Sequence, residues 1–150
     1  MMHLCKLTTL GLIAMTSAAS AGALDDALRA TAPCQALPGF DRTDQLRLSS
    51  IDISLRREVI TVRAEGDIAC TASGSTFLRG NLSTRVRLNA VLDSDSCRTK
   101  KAEVALANLG GTAGPILAAQ QDEAEALLSE GFRLFIEREC RKSLGPFLDE

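Results

Sequence analysis

Two amphipathic patterns of different period predict an α+β domain. It has a short N-terminal helix, a curved four-stranded antiparallel meander, and a long C-terminal amphipathic helix packed on the sheet. The first pattern is apolar–polar alternation running through Glu58 to Cys70 and again through Leu82 to Leu92, the signature of a half-buried strand. The second is the spacing of apolar residues between Pro115 and Cys140, which follows a helix. Four cysteines downstream of an export signal complete the frame, and they read as two disulfides.

The N-terminus reads as an address. Met1 to Lys6 is short and basic, Leu7 to Met15 is apolar, and Ala19-Ser20-Ala21 fits a small-residue cleavage site. Residues 1–21 are therefore expected to be removed, leaving one domain over 22–150. The apolar run is too short for the ~20 residues of a membrane span. The Ala-rich style suggests a bacterial periplasmic or secreted product. Leu24 to Thr31 carries Leu24, Ala27, Leu28 and Thr31 at helical spacing, with Asp25 and Asp26 in the first turn, where the helix dipole favours them. A loop with Cys34, Pro33, Pro38 and Gly39 follows.

Gln45 to Leu55 is the first expected strand. Leu46 and Leu48 alternate in one parity, Ile51, Ile53 and Leu55 in the other. A bulge near Ser49-Ser50 reconciles them, because one inserted residue exchanges the faces. On the second strand Ile60, Val62, Ala64, Gly66, Ile68 and Cys70 face inward. Thr71 to Asn81 is a loop containing Phe77-Leu78. The third strand, Leu82 to Leu92, turns Val86, Leu88, Ala90 and Leu92 inward. Pairing Cys70 with Leu82 sets Asp67 against Arg85 and Glu65 against Arg87 on the outer face, each pair worth ~0.2–1 kcal/mol. Ala102 to Ala107 is a shorter fourth strand after a polar turn holding Cys97.

The long helix opens at Pro115, a residue suited to the first helical position, and Ser143-Leu144-Gly145-Pro146 is expected to end it. Leu117, Ala124, Leu128, Gly131 and Phe135 form one line on the wheel. Ile116, Leu127 and Leu134 flank one side of it, and Phe132 and Ile136 the other. Asp122, Ser129, Glu130, Arg133 and Glu137 take the opposite face. At ~1.5 Å per residue this helix is close to 40 Å long, and an eleven-residue strand spans roughly 36 Å. The helix is therefore expected to lie across the apolar face of the sheet. In the meander Cys34 and Cys70 share one end and Cys97 and Cys140 the other, so the expected pairs are 34–70 and 97–140. Each is worth about 3–4 kcal/mol in the chain-entropy model.

Composition narrows the function classes. His3 is the only histidine and leaves with the signal, so no imidazole remains for acid–base work, metal ligation or haem. The mature lysines, Lys100, Lys101 and Lys142, form no S-x-x-K. The cysteines form no C-x-x-C. Losing Lys6 leaves 16 basic against 19 acidic side chains, which gives no electrostatic footprint for nucleic acid. Five Phe with neither Trp nor Tyr argue against base-stacking platforms. Asp93-Ser94-Asp95-Ser96 has oxygens for a weak calcium but lacks the rest of a calcium loop, so it reads as a polar turn. The glycines from Gly110 to Gly114 lack the Lys-Ser/Thr of a phosphate loop and read as a strand-to-helix turn. No catalytic residue, cofactor or metal is assigned.

Phe40, Phe77, Leu78 and Leu109 gather at one end of the expected sandwich, as a portal would. Inward positions are often small, at Ala64, Gly66, Ala90, Ala102, Ala124 and Gly131. Small residues either let helix and sheet pack closely or leave room for an apolar ligand.

The order of signal, short helix, long meander and long amphipathic C-terminal helix resembles small bacterial periplasmic members of the tubular lipid-binding superfamily. That resemblance covers most of the mature chain as an order of elements and implies a curved sheet wrapped on a helix around an apolar groove. A cystatin-like fold is a competing likeness, without the Q-x-V-x-G run that binds proteases. The expected function is non-enzymatic binding of an apolar or lipid-like ligand in the bacterial envelope. Leu117, Leu128, Phe132 and Phe135 would line the interior and Phe77 and Leu78 the mouth. The alternative is a periplasmic structural or protein-interaction module with a dry core, marked by an exposed apolar patch at the sheet edge.

Overall fold

The computed structural model describes residues 26–74 and 79–148; the expected signal and the Phe77-Leu78 pair lie outside the described residues. Helix α1 covers 26–30, within the expected helix. Thr31 ends it, its N–H and hydroxyl both donating to the Leu28 carbonyl at 3.1 and 2.6 Å. A 3-10 turn, Pro33–Ala36, carries the buried Cys34.

Four strands follow: β1 (Arg42–Arg56), β2 (Val59–Ser73), β3 (Arg79–Asp93) and β4 (Thr99–Gly110), paired antiparallel in the order 1-2-3-4. Alternation is the reason. Val62, Ala64, Ile68 and Cys70 are buried on β2, and Leu82, Val86, Leu88, Ala90 and Leu92 on β3. The β2–β3 register sets Cys70 opposite Leu82, Asp67 opposite Arg85 and Glu65 opposite Arg87. One expected ion pair is redirected. Glu65 receives both Arg87 (3.0 Å) and, diagonally, Arg85 (3.4 Å), in place of an Asp67–Arg85 contact. These exposed pairs contribute only tenths of a kcal/mol.

Ser49 is the bulge that exchanges the faces of β1, lying between the Leu48–Gly66 and Ser50–Glu65 pairs. Gly66 is required there, since a Cβ on it would sit 2.3 Å from the Arg47 carbonyl oxygen. β1 turns into β2 through Arg57 and Glu58, both left-handed at φ 47° and 66°, the geometry of a two-residue hairpin.

The fourth strand is longer than its pattern implied, 12 residues over Thr99–Gly110. Lys100 and Lys101 read as turn residues, but a register shift between the Val91–Lys101 and Leu92–Thr99 pairs leaves Lys100 as the odd residue. The bulge lets the strand continue past it.

The C-terminal helix is two helices, α2 (Gly114–Ala119) and α3 (Gln121–Leu148), bent at Gln120 (φ −125°, ψ 27°). α2 seats Leu117 in the core, while α3 follows β4, and one straight helix does not serve both. α3 also runs on through Gly145 and Pro146, where a stop was expected. A proline biases the preceding residue away from the helical region without barring it.

α3 does not lie centrally across the sheet. It runs along β4, contacting β3 only lightly. Its polar stripe explains why. Glu125 Oε1 accepts from the Leu106 N–H at 2.8 Å, Ser129 Oγ from Val104 N–H at 2.8 Å, and Glu137 Oε1 from Thr99 N–H at 3.0 Å. Gln121 Nε2 donates to the Leu106 carbonyl at 2.9 Å. Ser129 and Glu137 therefore face the sheet edge rather than solvent. Four helical residues rise ~6 Å and two strand residues ~6.7 Å, so side chains four apart meet alternate strand residues.

Leu128, Phe132, Phe135 and Ile136 are buried against Val104, Leu106 and the sheet. Ile116, Leu127 and Leu134, expected on the apolar face, are exposed, because that face is too wide for a helix docked on one edge. The far corner of the sheet is also uncovered, and Ile53 and Leu55, though on the inward face, are 51% and 67% exposed.

Both disulfides pair as expected, Cys34–Cys70 and Cys97–Cys140, each with Cα atoms 5.7 Å apart. The first ties the 3-10 turn to β2, the second the β3–β4 turn to α3.

Candidate ligand-binding site

An apolar cavity of about 120 Å³ lies between α1, α3 and the inner face of the sheet. Ile68 from β2, Val86 and Leu88 from β3 and Val104 from β4 form its floor; Leu128, Phe132 and Phe135 form its roof. Leu28 from α1 and Leu46 from β1 close one side. The sheet supplies these residues because strand alternation brings every second side chain to one face. α3 supplies its set at spacings of three and four, which share one helical face.

The cavity reaches the surface beside three small residues, Thr31, Ala36 and Gly131, all exposed. Among the small residues expected to face inward, Gly66 is closely packed and Gly131 is exposed. A Cβ on it would meet nothing within 4 Å. Close packing is therefore not why glycine stands there, in contrast to Gly66. An interior helical glycine costs roughly 1 kcal/mol relative to alanine, and its local effect is open space above the cavity. The Phe135 ring, on the cavity side of α3, has the Arg138 guanidinium carbon 5.8 Å from its centroid, a cation–π distance.

Leu128, Phe132 and Phe135 thus come together as expected from the helix face. Leu117 does not join them. It sits with Phe40, Ala113 and Ala124 around a separate pocket of about 20 Å³, too small for more than a water-sized occupant. The portal expected from Phe40 and Leu109 is not formed by those two, since Phe40 is buried and Leu109 packs against the core. Phe77 and Leu78 lie outside the described residues. The mouth residues Thr31, Ala36 and Gly131 were not singled out as a mouth by pattern. The available signal was Gly131, a helix-weakening residue in the middle of an apolar stripe.

The chemistry open to this cavity is apolar. The Thr31 hydroxyl is committed to the Leu28 carbonyl. Among the described residues no group of His, Cys, Asp or Glu is placed to hold a metal ion. The Asp93 turn is closed by its own hydrogen bonds. Asp93 Oδ1 accepts from the Asp95 N–H (3.1 Å), the Ser96 N–H (2.9 Å) and the Ser96 hydroxyl (2.9 Å). These contacts, the Ser96 N–H first, hold the carboxyl below its usual range.

Fold and site define a disulfide-stapled α+β domain with a small apolar cavity under its C-terminal helix. The disulfides fit an oxidising compartment, and no helix among the described residues is long and apolar enough to cross a membrane. The chain belongs to the Y4fE family, whose model matches residues 13–140. No curated protein and no solved structure matches it.

Proposed function

We propose that this is a non-enzymatic binding protein of the bacterial envelope, periplasmic or secreted, that takes an apolar ligand between α3 and the sheet. The observation that carries the reading is Gly131, a costly residue over an apolar cavity that packing does not require. The volume sets the ligand class. A dry apolar cavity of ~150 Å³ holds benzene, so about 120 Å³ suits one ring or the end of a single acyl chain, with the rest of a longer molecule leaving past Thr31 and Ala36.

Native mass spectrometry of the mature protein purified from periplasm, followed by organic extraction, tests this. A mass excess that resolves to a lipid or single-chain amphiphile is expected. A clean apo mass, with no uptake when fatty acids are offered, contradicts it. The second reading, an interaction module, is favoured by the exposed Ile53 and Leu55 at the sheet edge, since exposed apolar edges are sites of association.

A further inference from the structure

The two edges of the sheet are treated differently. At β4, α3 lays Glu125, Ser129 and Glu137 on the outward N–H groups of Leu106, Val104 and Thr99, which blocks a further strand. β1 is the other edge strand. Over Asp52 to Arg56 it carries no proline and no inward-pointing charge, devices that blunt a strand edge. Its Ile53 and Leu55 are among the most exposed large apolar residues described. Asp52 stands opposite Arg63 on β2 without an ion pair to it. Neither Asp52 nor Arg56 has an ion-pair partner among the described residues.

We propose that this edge pairs with the same edge of a second copy, antiparallel about a two-fold axis at Ser54. In that register the run Asp52-Ile53-Ser54-Leu55-Arg56 is its own complement. Asp52 of each copy stands opposite Arg56 of the other on the outer face. Ile53 stands opposite Leu55 on the inner face, and Ser54 meets Ser54 on the axis. Opposite-charge and apolar cross-strand pairs are the favourable ones, and a two-fold contact requires such self-complementarity. Moving the axis by two residues, to Asp52, places Ile51 against Ile53 and Asp52 against Asp52. The charges thus disfavour that register, and only the axis at Ser54 sets Asp52 against Arg56. A five-residue overlap is shorter than a permanent interface requires, so the dimer forms reversibly with concentration. The inference is independent of the cavity, and its test fails or succeeds separately.

Sedimentation equilibrium of the mature protein across a wide concentration range is expected to show the mass rising from one copy toward two. Asp52→Arg places Arg against Arg56, and Arg56→Asp places Asp against Asp52, so each variant alone is expected to stay monomeric. Mixing the two restores both opposite-charge pairs, and the mixture is expected to dimerise as the unaltered protein does. That recovery also shows that both variants are folded. A monomer at every concentration overturns the proposal. So does a dimer that survives either single change, or a mixture that stays monomeric.

Discussion

Glu137 Oε1 accepts a hydrogen bond of 3.0 Å from the backbone N–H of Thr99, joining the helix to the open edge of the sheet. Ser129 and Glu125 repeat the contact on Val104 and Leu106. The helix therefore substitutes for a fifth strand on that side, and it places Leu128, Phe132 and Phe135 over the cavity. Removing an acceptor leaves a strand N–H unpaired at a part-buried site, which costs about 1–3 kcal/mol. Glu137→Ala is expected to lose stability in that range by urea denaturation, and Glu137→Gln clearly less, because the amide oxygen still accepts.

The same seam gives a pH dependence. The Thr99 N–H holds the Glu137 carboxyl below the usual glutamate range against the opposing effect of burial, and Arg133 adds to it. A carboxylate whose folded pKa is depressed stabilises the fold fully above its unfolded value, ~4.3, and loses that contribution as pH falls through the folded value. Acid unfolding of the unaltered protein is expected to steepen below that point. Glu137→Gln is expected to reduce that steepness without abolishing it, since Asp41, Asp44, Asp93 and Glu130 are depressed as well.

Gly131 separates stability from binding. Gly131→Ala meets no clash and improves helix propensity, so melting should move upward, by about 1 kcal/mol of stability. Gly131→Leu extends over the mouth and is expected to keep the fold while preventing uptake of an apolar probe, read by fluorescence displacement. Unimpaired uptake by Gly131→Leu would remove the mouth assigned here.

The Cys97–Cys140 bridge closes a separation of 43 residues, worth about 4 kcal/mol in the chain-entropy model. Replacing both cysteines by alanine is expected to lower stability by up to that amount. Limited proteolysis should then cut first near the C-terminal end of α3.

Much of this architecture is legible in the residues. Ile60 to Cys70 and Leu82 to Leu92 alternate over most of their length, so one register satisfies both faces, and the ends of the strands then dictate the disulfides. Ser49 is legible as a bulge because parity changes across it. The seam is not legible. Hydropathy scores a Ser129 that accepts a strand N–H like one that faces water, so the helix was expected to dock by its apolar side alone. Lys100 and Lys101 conceal the start of β4 for the same reason. The cavity is harder still, because it is a packing shortfall. Leu117 and Leu128 lie on one line of the helical wheel, but the bend at Gln120 sends them to different pockets.

The space beneath Gly131 is proposed to take an apolar chain. Intermolecular nuclear Overhauser effects between methyl-labelled mature protein and decanoate test it most directly. Contacts from the decanoate chain to the methyls of Leu88, Val104 and Leu128 are expected, and they are lost in Gly131→Leu. Contacts confined to Ile53 and Leu55, or none at all, would contradict it.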